Sequence, residues 1–245
     1  MGTTLHALIQ DNEESLLALQ QRIGYHFTNI ELLQVALIHS SFAFERLDGG
    51  RHNETQEFLG DAVLDLAVGY ILFKRFPRMR EGKLTRIRSA LVNESGLAQM
   101  ARAIGLGSYL LLGRGEEGSN GREKSSILSC AYEAVVGALF LDGGYDEALD
   151  FVQRFFGPLI DKRCNELMLS DAKSSLQELL QERYNEGPQY VLEGEEGPPH
   201  ARNFSVSVRF HGKVLGTGQA GSKKEAEQQA AGAALKKLAQ ENTGN

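Results

Sequence analysis

The segment from Glu54 to Leu72, ETQEFLGDAVLDLAVGYIL, most narrows what this chain can fold into. On a helix turning about 100° per residue, Glu54, Glu57 and Asp61 share one face, spaced three and then four apart. The apolar residues Phe58, Leu59, Val63, Leu64, Leu66, Val68, Ile71 and Leu72 cover every other direction, and a helix apolar all round is expected to be buried. Burying an ionised carboxylate costs several kcal/mol, and neighbouring carboxylates also repel one another. Two readings stay open on this segment alone: a solvated acidic face, or acids gathered round a cation.

A second source of acid sharpens the choice. The apolar run Ile127–Leu141 carries one charge, Glu133, with nothing basic within a turn on either side. An isolated acid in a buried helix is either paired with a base or bound to metal. Together with Glu57 and Asp61, Glu133 would form an oxygen cluster of the kind that hard cations choose, Mg²⁺ or Mn²⁺ foremost. His39, in ALIHSSF, is expected to be a satisfied structural histidine.

The 245 residues, 42% hydrophobic and 24% charged, suit one large or two modest globular domains. From about residue 12 to 165 helix signals follow one another. Asp11 or Asn12 can cap one helix and Thr28 or Asn29 the next. Then come the acidic helix, a basic-faced helix over Glu81–Leu91, another over Glu94–Ile104, the Ile127–Leu141 run and Tyr145–Asn165. After Ser170 the period changes. Ser174 and Gln177 make a capping box for a helix to Tyr184, strand signals begin at Gln189, and Phe204 to Phe210 alternates apolar and polar residues without a fault. A turn at His211–Lys213, a third strand and an alanine-rich helix from Ser222 complete an α-β-β-β-α order. The expected architecture is an all-α domain over 1–166 and a small α+β domain over 171–240, with a linker near Leu167–Asp171.

Two glycine motifs are decoys. GRGEEG at Gly113–Gly118 should open into more loop. GTGQAG at Gly216–Gly221 follows an antiparallel strand with too little chain left for the βαβ unit of dinucleotide binding. The helix start beyond it is more useful, because backbone N–H groups from Ser222 onward, with Lys223 and Lys224 in the first turn, suit a phosphate backbone.

A formal net charge of −6 argues mildly against a nucleic-acid partner, so such a partner must be held by local patches. The candidates are Arg78, Arg80, Lys83, Arg86 and Arg88, and the pair Lys223 and Lys224. No run reaches the roughly 20 apolar residues of a membrane span, and no export signal is visible at the acidic N-terminus. The expectation is a cytoplasmic protein without a membrane partner, its Cys130 and Cys164 reduced.

HNETQEFLGDAVLD closely resembles the signature of bacterial ribonuclease III. The order of parts also matches along nearly the whole chain: ALIHSSF, REGKLTRIRSALV, ILSCAYEAVVGALFLDGG and a double-stranded-RNA-binding domain. The resemblance implies a Mg²⁺-dependent phosphodiester hydrolase, with Mn²⁺ able to substitute. It would be a cytoplasmic homodimer that cuts both strands of duplex RNA, leaves 5′-phosphates with short 3′ overhangs, and processes rRNA and mRNA precursors. It puts the metal-binding acids on Glu57, Asp61 and Glu133, Asp61 and Glu133 being catalytic, with Glu54 and Glu81 as supporting acids. Phe58 matches the aromatic that plugs into a socket on the partner subunit. Gln177, Glu178 and His200 match minor-groove contacts, and Lys223 and Lys224 a phosphate clamp. Glu227 stands where related modules often carry a third base.

One departure stands out. Aligned on the family's ILAD-x-x-E pattern, ILSCAYE puts Cys130 where an aspartate ligand is expected, and Asp65, a turn beyond Asp61, could compensate. The alternative function is therefore a duplex-RNA-binding protein that cleaves weakly or not at all.

Overall fold

The computed structural model describes residues 3–47, 50–77, 79–170, 172–198 and 202–243. The chain divides into two compact units, Met1–Ile160 and Asp161–Asn245.

The first unit is helical. Its elements are α1 (Leu5–Asp11), α2 (Glu13–Ile23), α3 (Ile30–Ala36), α4 (Ser40–Arg46), α5 (Glu54–Arg75), α6 (Glu81–Leu91), α7 (Glu94–Ala103), a short α8 (Arg114–Gly118) and α9 (Ser125–Ser170), which continues past the unit boundary. Caps set several of the starts. Thr4 accepts from the Ala7 N–H, Asn29 from Glu31 and Asn93 from Gly96, each such cap contributing about 1 kcal/mol. His39 caps α4, its Nδ1 accepting from the Ser41 N–H at 3.3 Å, the structural role expected of it.

The α9 segment is two helices joined at Gly144, whose φ of 81° and ψ of −171° leave helical geometry. Just before the break, the Asp142 carboxylate accepts from the Tyr25 hydroxyl and from the Thr28 and Asn29 N–H groups at 2.8–2.9 Å, tying α9 to the start of α3. Tyr132, Phe151 and Phe156, all fully buried, fill the core between the two halves.

Several expectations need correction. The Ser125–Lys162 part of α9 is long and apolar enough, by length and composition, to cross a bilayer, because the apolar pattern resumes beyond Gly144; 61% of its apolar window is nevertheless buried inside the protein. The GRGEEG stretch forms α8, not loop. Helix persists through residues 167–170, where a linker was expected, since Leu167, Met168 and Leu169 contain no helix breaker. Above all, α5 is not buried all round. Its inner face carries Val63, Leu64, Ala67, Val68, Ile71 and Leu72, while Phe58, Leu66 and Phe73 are 81%, 59% and 66% exposed.

The second unit has α10 (Ala172–Tyr184), the antiparallel sheet β1 (Gln189–Glu196), β2 (Asn203–Phe210) and β3 (Lys213–Ala220) in that order, and α11 (Lys223–Thr243). The β2–β3 turn places His211 and Gly212 at φ 47° and 75°, the positive values that a tight hairpin requires. One face packs Val206 and Val208 against Leu176 and Leu180 of α10 and Ala226, Ala230, Ala231 and Ala234 of α11. A Cβ at Gly216 or Gly218 would collide with the α11 backbone at Ala230 or Ala226, so these two glycines of GTGQAG serve helix-on-strand packing. Ser207, expected to face solvent, is 2% exposed because its hydroxyl donates to Glu193 and Arg209 lies alongside. Helix α10 starts two residues before Ser174, which is therefore not its cap. Gln228 of α11 accepts from the Lys173 N–H at 3.0 Å, a tertiary partner invisible in the local sequence.

Candidate active site and nucleic-acid interface

The acids of α5 and α9 meet because two glycines let the helix backbones touch. A Cβ at Gly60 would fall on the Glu133 carbonyl oxygen, and one at Gly137 on the Gln56 carbonyl. Any larger residue would push the helices apart. The start of α5 is also pinned: the Asn53 N–H donates to the Ile38 carbonyl at 3.0 Å and Gln56 Nε2 to the Leu32 carbonyl at 3.1 Å. Glu57, one helical turn before Asp61, therefore faces Cys130 and Glu133, which lie one turn apart on α9.

One ligand atom from each of Glu57, Cys130 and Glu133 lies within 4.8 Å of the others. Burial raises the Glu133 carboxyl to about 7, with the charges of Asp61 and then Glu57 adding to the effect. Burial pushes the Cys130 thiol up to about 12, helped by its hydrogen bond to Glu57 and by the Glu57 and Glu133 charges. A cation among them would reverse both effects. The two carboxylates at this spacing fit the divalent metal that the resemblance implies, while the Cys130 sulfur beside them is a softer donor.

The other predicted acids stand differently. Asp61 is exposed on α5 and acts on Glu133 by charge, but it is not one of the three mutually close ligands. Glu54, at the mouth of α5, lies 3.9 Å from His52. Glu81, the first residue of α6, accepts from the Thr85 hydroxyl at 2.8 Å. Asp65 faces Arg88 at 3.7 Å, across to α6, and is not one of the three mutually close ligands. Gly60 and Gly137 were missed from sequence. Their signal was a glycine inside an otherwise unbroken helical pattern, which costs about 1 kcal/mol against alanine and so implies a packing reason.

In the second unit, Gln177 is exposed and Glu178 half-buried on α10, while Lys223 and Lys224 are exposed in the first turn of α11. The Glu225 N–H of that turn is not open to an anion, since it donates to Ser222 Oγ at 3.2 Å. Glu227 turns inward to pair with Lys173 at 2.5 Å, and Lys173 lies over the Tyr190 ring at 4.5 Å. Glu227 thus ties α10 to α11. His200, and Arg78 of the basic segment, lie outside the described residues.

Beside the exposed stripe of α5, a hollow of about 360 Å³ opens among Leu32, Val35, His52, Thr55, Gln56 and Leu141.

A helical unit with a group of acids able to hold a divalent ion, followed by an α-β-β-β-α unit with lysines at a helix start, fits the class of metal-dependent nucleases joined to a duplex-RNA module. Comparison with known proteins agrees. Residues 29–159 match the model of the Ribonuclease-III-like family and residues 172–238 that of the double-stranded RNA binding motif. Ribonuclease 3 of Desulfotalea psychrophila is 59% identical over 97% of this chain and 99% of its own, and that of Syntrophotalea carbinolica 47% identical over 92% and 97%. Among solved structures, the ribonuclease III nuclease domain of Campylobacter jejuni is 43% identical, covering 56% of this chain and 93% of its own with a TM-score of 0.53; its description refers to a region involved in dimer formation. The chain belongs to the ribonuclease III family and is an endoribonuclease of double-stranded RNA. A duplex-RNA binder that does not cleave is not favoured.

Proposed function

We propose that this chain is a Mg²⁺-dependent homodimer that cuts both strands of duplex RNA in the bacterial cytoplasm, processing rRNA and mRNA precursors to 5′-phosphate products with short 3′ overhangs. Its nuclease part occupies 1–166 and its RNA-binding part 171–240. Glu57, Asp61 and Glu133 hold the metal, with Mn²⁺ able to replace Mg²⁺, and Glu54 and Glu81 add negative charge farther out. The observation that carries this reading is the convergence of Glu57 and Glu133 at the glycine crossing.

A divalent ion bound there supplies Lewis-acid stabilisation of charge developing on the phosphate and makes nearby water more acidic. The chain's own residues do the rest. The carboxylates fix the site on two helices whose backbones touch, so its geometry is rigid before RNA arrives. Lys223 and Lys224 hold phosphates by counterion release, and Gln177, Glu178 and His200 reach into the wide, shallow minor groove. Phe58, 81% exposed, enters the hollow lined by Leu32, Val35 and Leu141 of a second copy, which buries the apolar stripe of α5. A second copy as the occupant is supported by the solved nuclease domain of Campylobacter jejuni, whose description refers to a region involved in dimer formation.

The test is cleavage and gel shift of one duplex, with and without Mg²⁺, for the native chain and Glu133→Gln. The variant should bind the duplex as the native chain does and not cut it. Normal cleavage by Glu133→Gln would end the assignment.

A further inference from the structure

The Glu57–Cys130–Glu133 group is mixed in chemistry, and the mixture bears on which cation it prefers. Two of its donors are hard carboxylate oxygens and the third is a sulfur, all mutually within 4.8 Å. In a tetrahedral site with metal–oxygen bonds of about 2.0 Å and a metal–sulfur bond of about 2.3 Å, donor atoms stand roughly 3.5 Å apart. Closing from separations of at most 4.8 Å to that spacing is a matter of side-chain adjustment on helices held together at Gly60 and Gly137. Mg²⁺ demands octahedral oxygen and keeps its waters, so it gains little from a thiol. Ions of the zinc and cobalt class bind thiolate directly.

We propose that Cys130 is a direct thiolate ligand, with Glu57 and Glu133, for a thiophilic divalent cation of the zinc class, and that this cation competes with Mg²⁺ for the same acids. On binding, the Cys130 S–H bond breaks, the sulfur electron pair forms the metal–sulfur bond and the proton leaves to solvent. No electron is transferred. The fourth position of a tetrahedral ion is left for water or for an oxygen of Asp61. The proposal rests on the reading of Glu57 and Glu133 as metal ligands, and its test separates the two.

The experiment uses the full-length, metal-stripped chain and Co²⁺ alone as probe. Bound metal is counted by equilibrium dialysis, and the near-ultraviolet thiolate-to-cobalt charge-transfer band is followed in the native chain, Cys130→Ser, Cys130→Asp, Cys164→Ser and Glu133→Gln, each checked for native helix content by circular dichroism. Stoichiometric Co²⁺ binding is expected, with a charge-transfer band that survives Cys164→Ser and vanishes in both Cys130 variants. Zn²⁺ should displace Co²⁺ and erase the band far more effectively than Mg²⁺. Cys130→Ser should weaken Co²⁺ binding by at least the roughly tenfold that losing even an outer-sphere partner costs. Cys130→Asp should keep Co²⁺ binding without the band. Stoichiometric Co²⁺ with no band would overturn the thiolate ligand and leave the carboxylate site standing. A band that depends on Cys164 would overturn it equally. Absence of Co²⁺ binding, or binding indifferent to Glu133→Gln, would overturn the metal-site reading itself.

Discussion

Glu133→Gln should stabilise the metal-free protein at neutral and alkaline pH. The Glu133 carboxyl titrates at about 7 in the folded chain, raised from 4.5 by burial, Asp61 and Glu57. Between those two values the folded protein keeps a proton that the unfolded chain has already lost. The favourable contribution is complete below about 4.5, declines as pH rises and is gone above about 7. At about 1.4 kcal/mol per unit, the displacement corresponds to roughly 3 kcal/mol before screening. Glu133 is only partly buried, and water at the site reduces the effect to on the order of 1–2 kcal/mol. Glutamine cannot ionise and escapes the penalty. Thermal unfolding in the presence of a chelator should therefore give the variant a Tm several degrees above the native chain near pH 8, at about 2–4 °C per kcal/mol, with the two converging near pH 5. Adding a divalent ion should reverse the order, because only the native chain gains the full ligand-linked stabilisation. Parallel pH profiles for the two proteins without metal would refute the argument, since Glu133 would then not carry the proton that separates folded from unfolded.

Three further outcomes follow from other parts of the molecule. Gly60→Ala should destabilise the nuclease unit by about 3 kcal/mol or more, because the added methyl meets backbone that cannot swing aside, and metal affinity should fall with it; calorimetry showing an unchanged Tm would refute the close crossing. Reversing Lys223 and Lys224 to Glu should weaken all duplexes alike and flatten the log–log salt dependence of binding by about 2, and an unchanged slope in salt titrations would place the clamp elsewhere. Phe58→Ala should loosen self-association by well over tenfold, since burying a phenylalanine is worth about 2 kcal/mol and the symmetric contact counts it twice; sedimentation of an equally tight dimer would refute the plug.

The elements that pack by their own periodicity were legible in the sequence. The bounds of α6 match the expectation residue for residue, and β2 differs by a single residue, because hydrophobic spacing there coincides with the face that is buried. What escaped depends on partners distant along the chain. The start of α10 is satisfied by Gln228, the cover over Ser207 comes from Glu193, and the spacing of the acids is set where Gly60 meets α9. The apolar outer stripe of α5 escaped for a different reason. Its composition gives no sign of whether Phe58, Leu66 and Phe73 face the core of their own chain or lie open on its surface. The candidate site was half legible: the acid types and their helical spacing could be read from the chain, but not that Cys130, and not Asp61, completes the mutually close group with Glu57 and Glu133.

The contact between Gly60 and Gly137 also bears on how freely such a chain can drift in sequence. Where ligand positions depend on the volumes of intervening side chains, each exchange of Leu for Ile or Met moves them slightly, and activity erodes along with packing. Here the reference surface is peptide backbone, the same for every residue type, so the apolar residues around it can be traded over long spans of descent while the carboxylates keep their separation. Tolerance in the core is concentrated against intolerance at two positions. A library randomised over Val63, Leu64, Val68 and Leu139 should retain metal affinity in most folded members, whereas one randomised at residues 60 and 137 should return almost only the parent glycines.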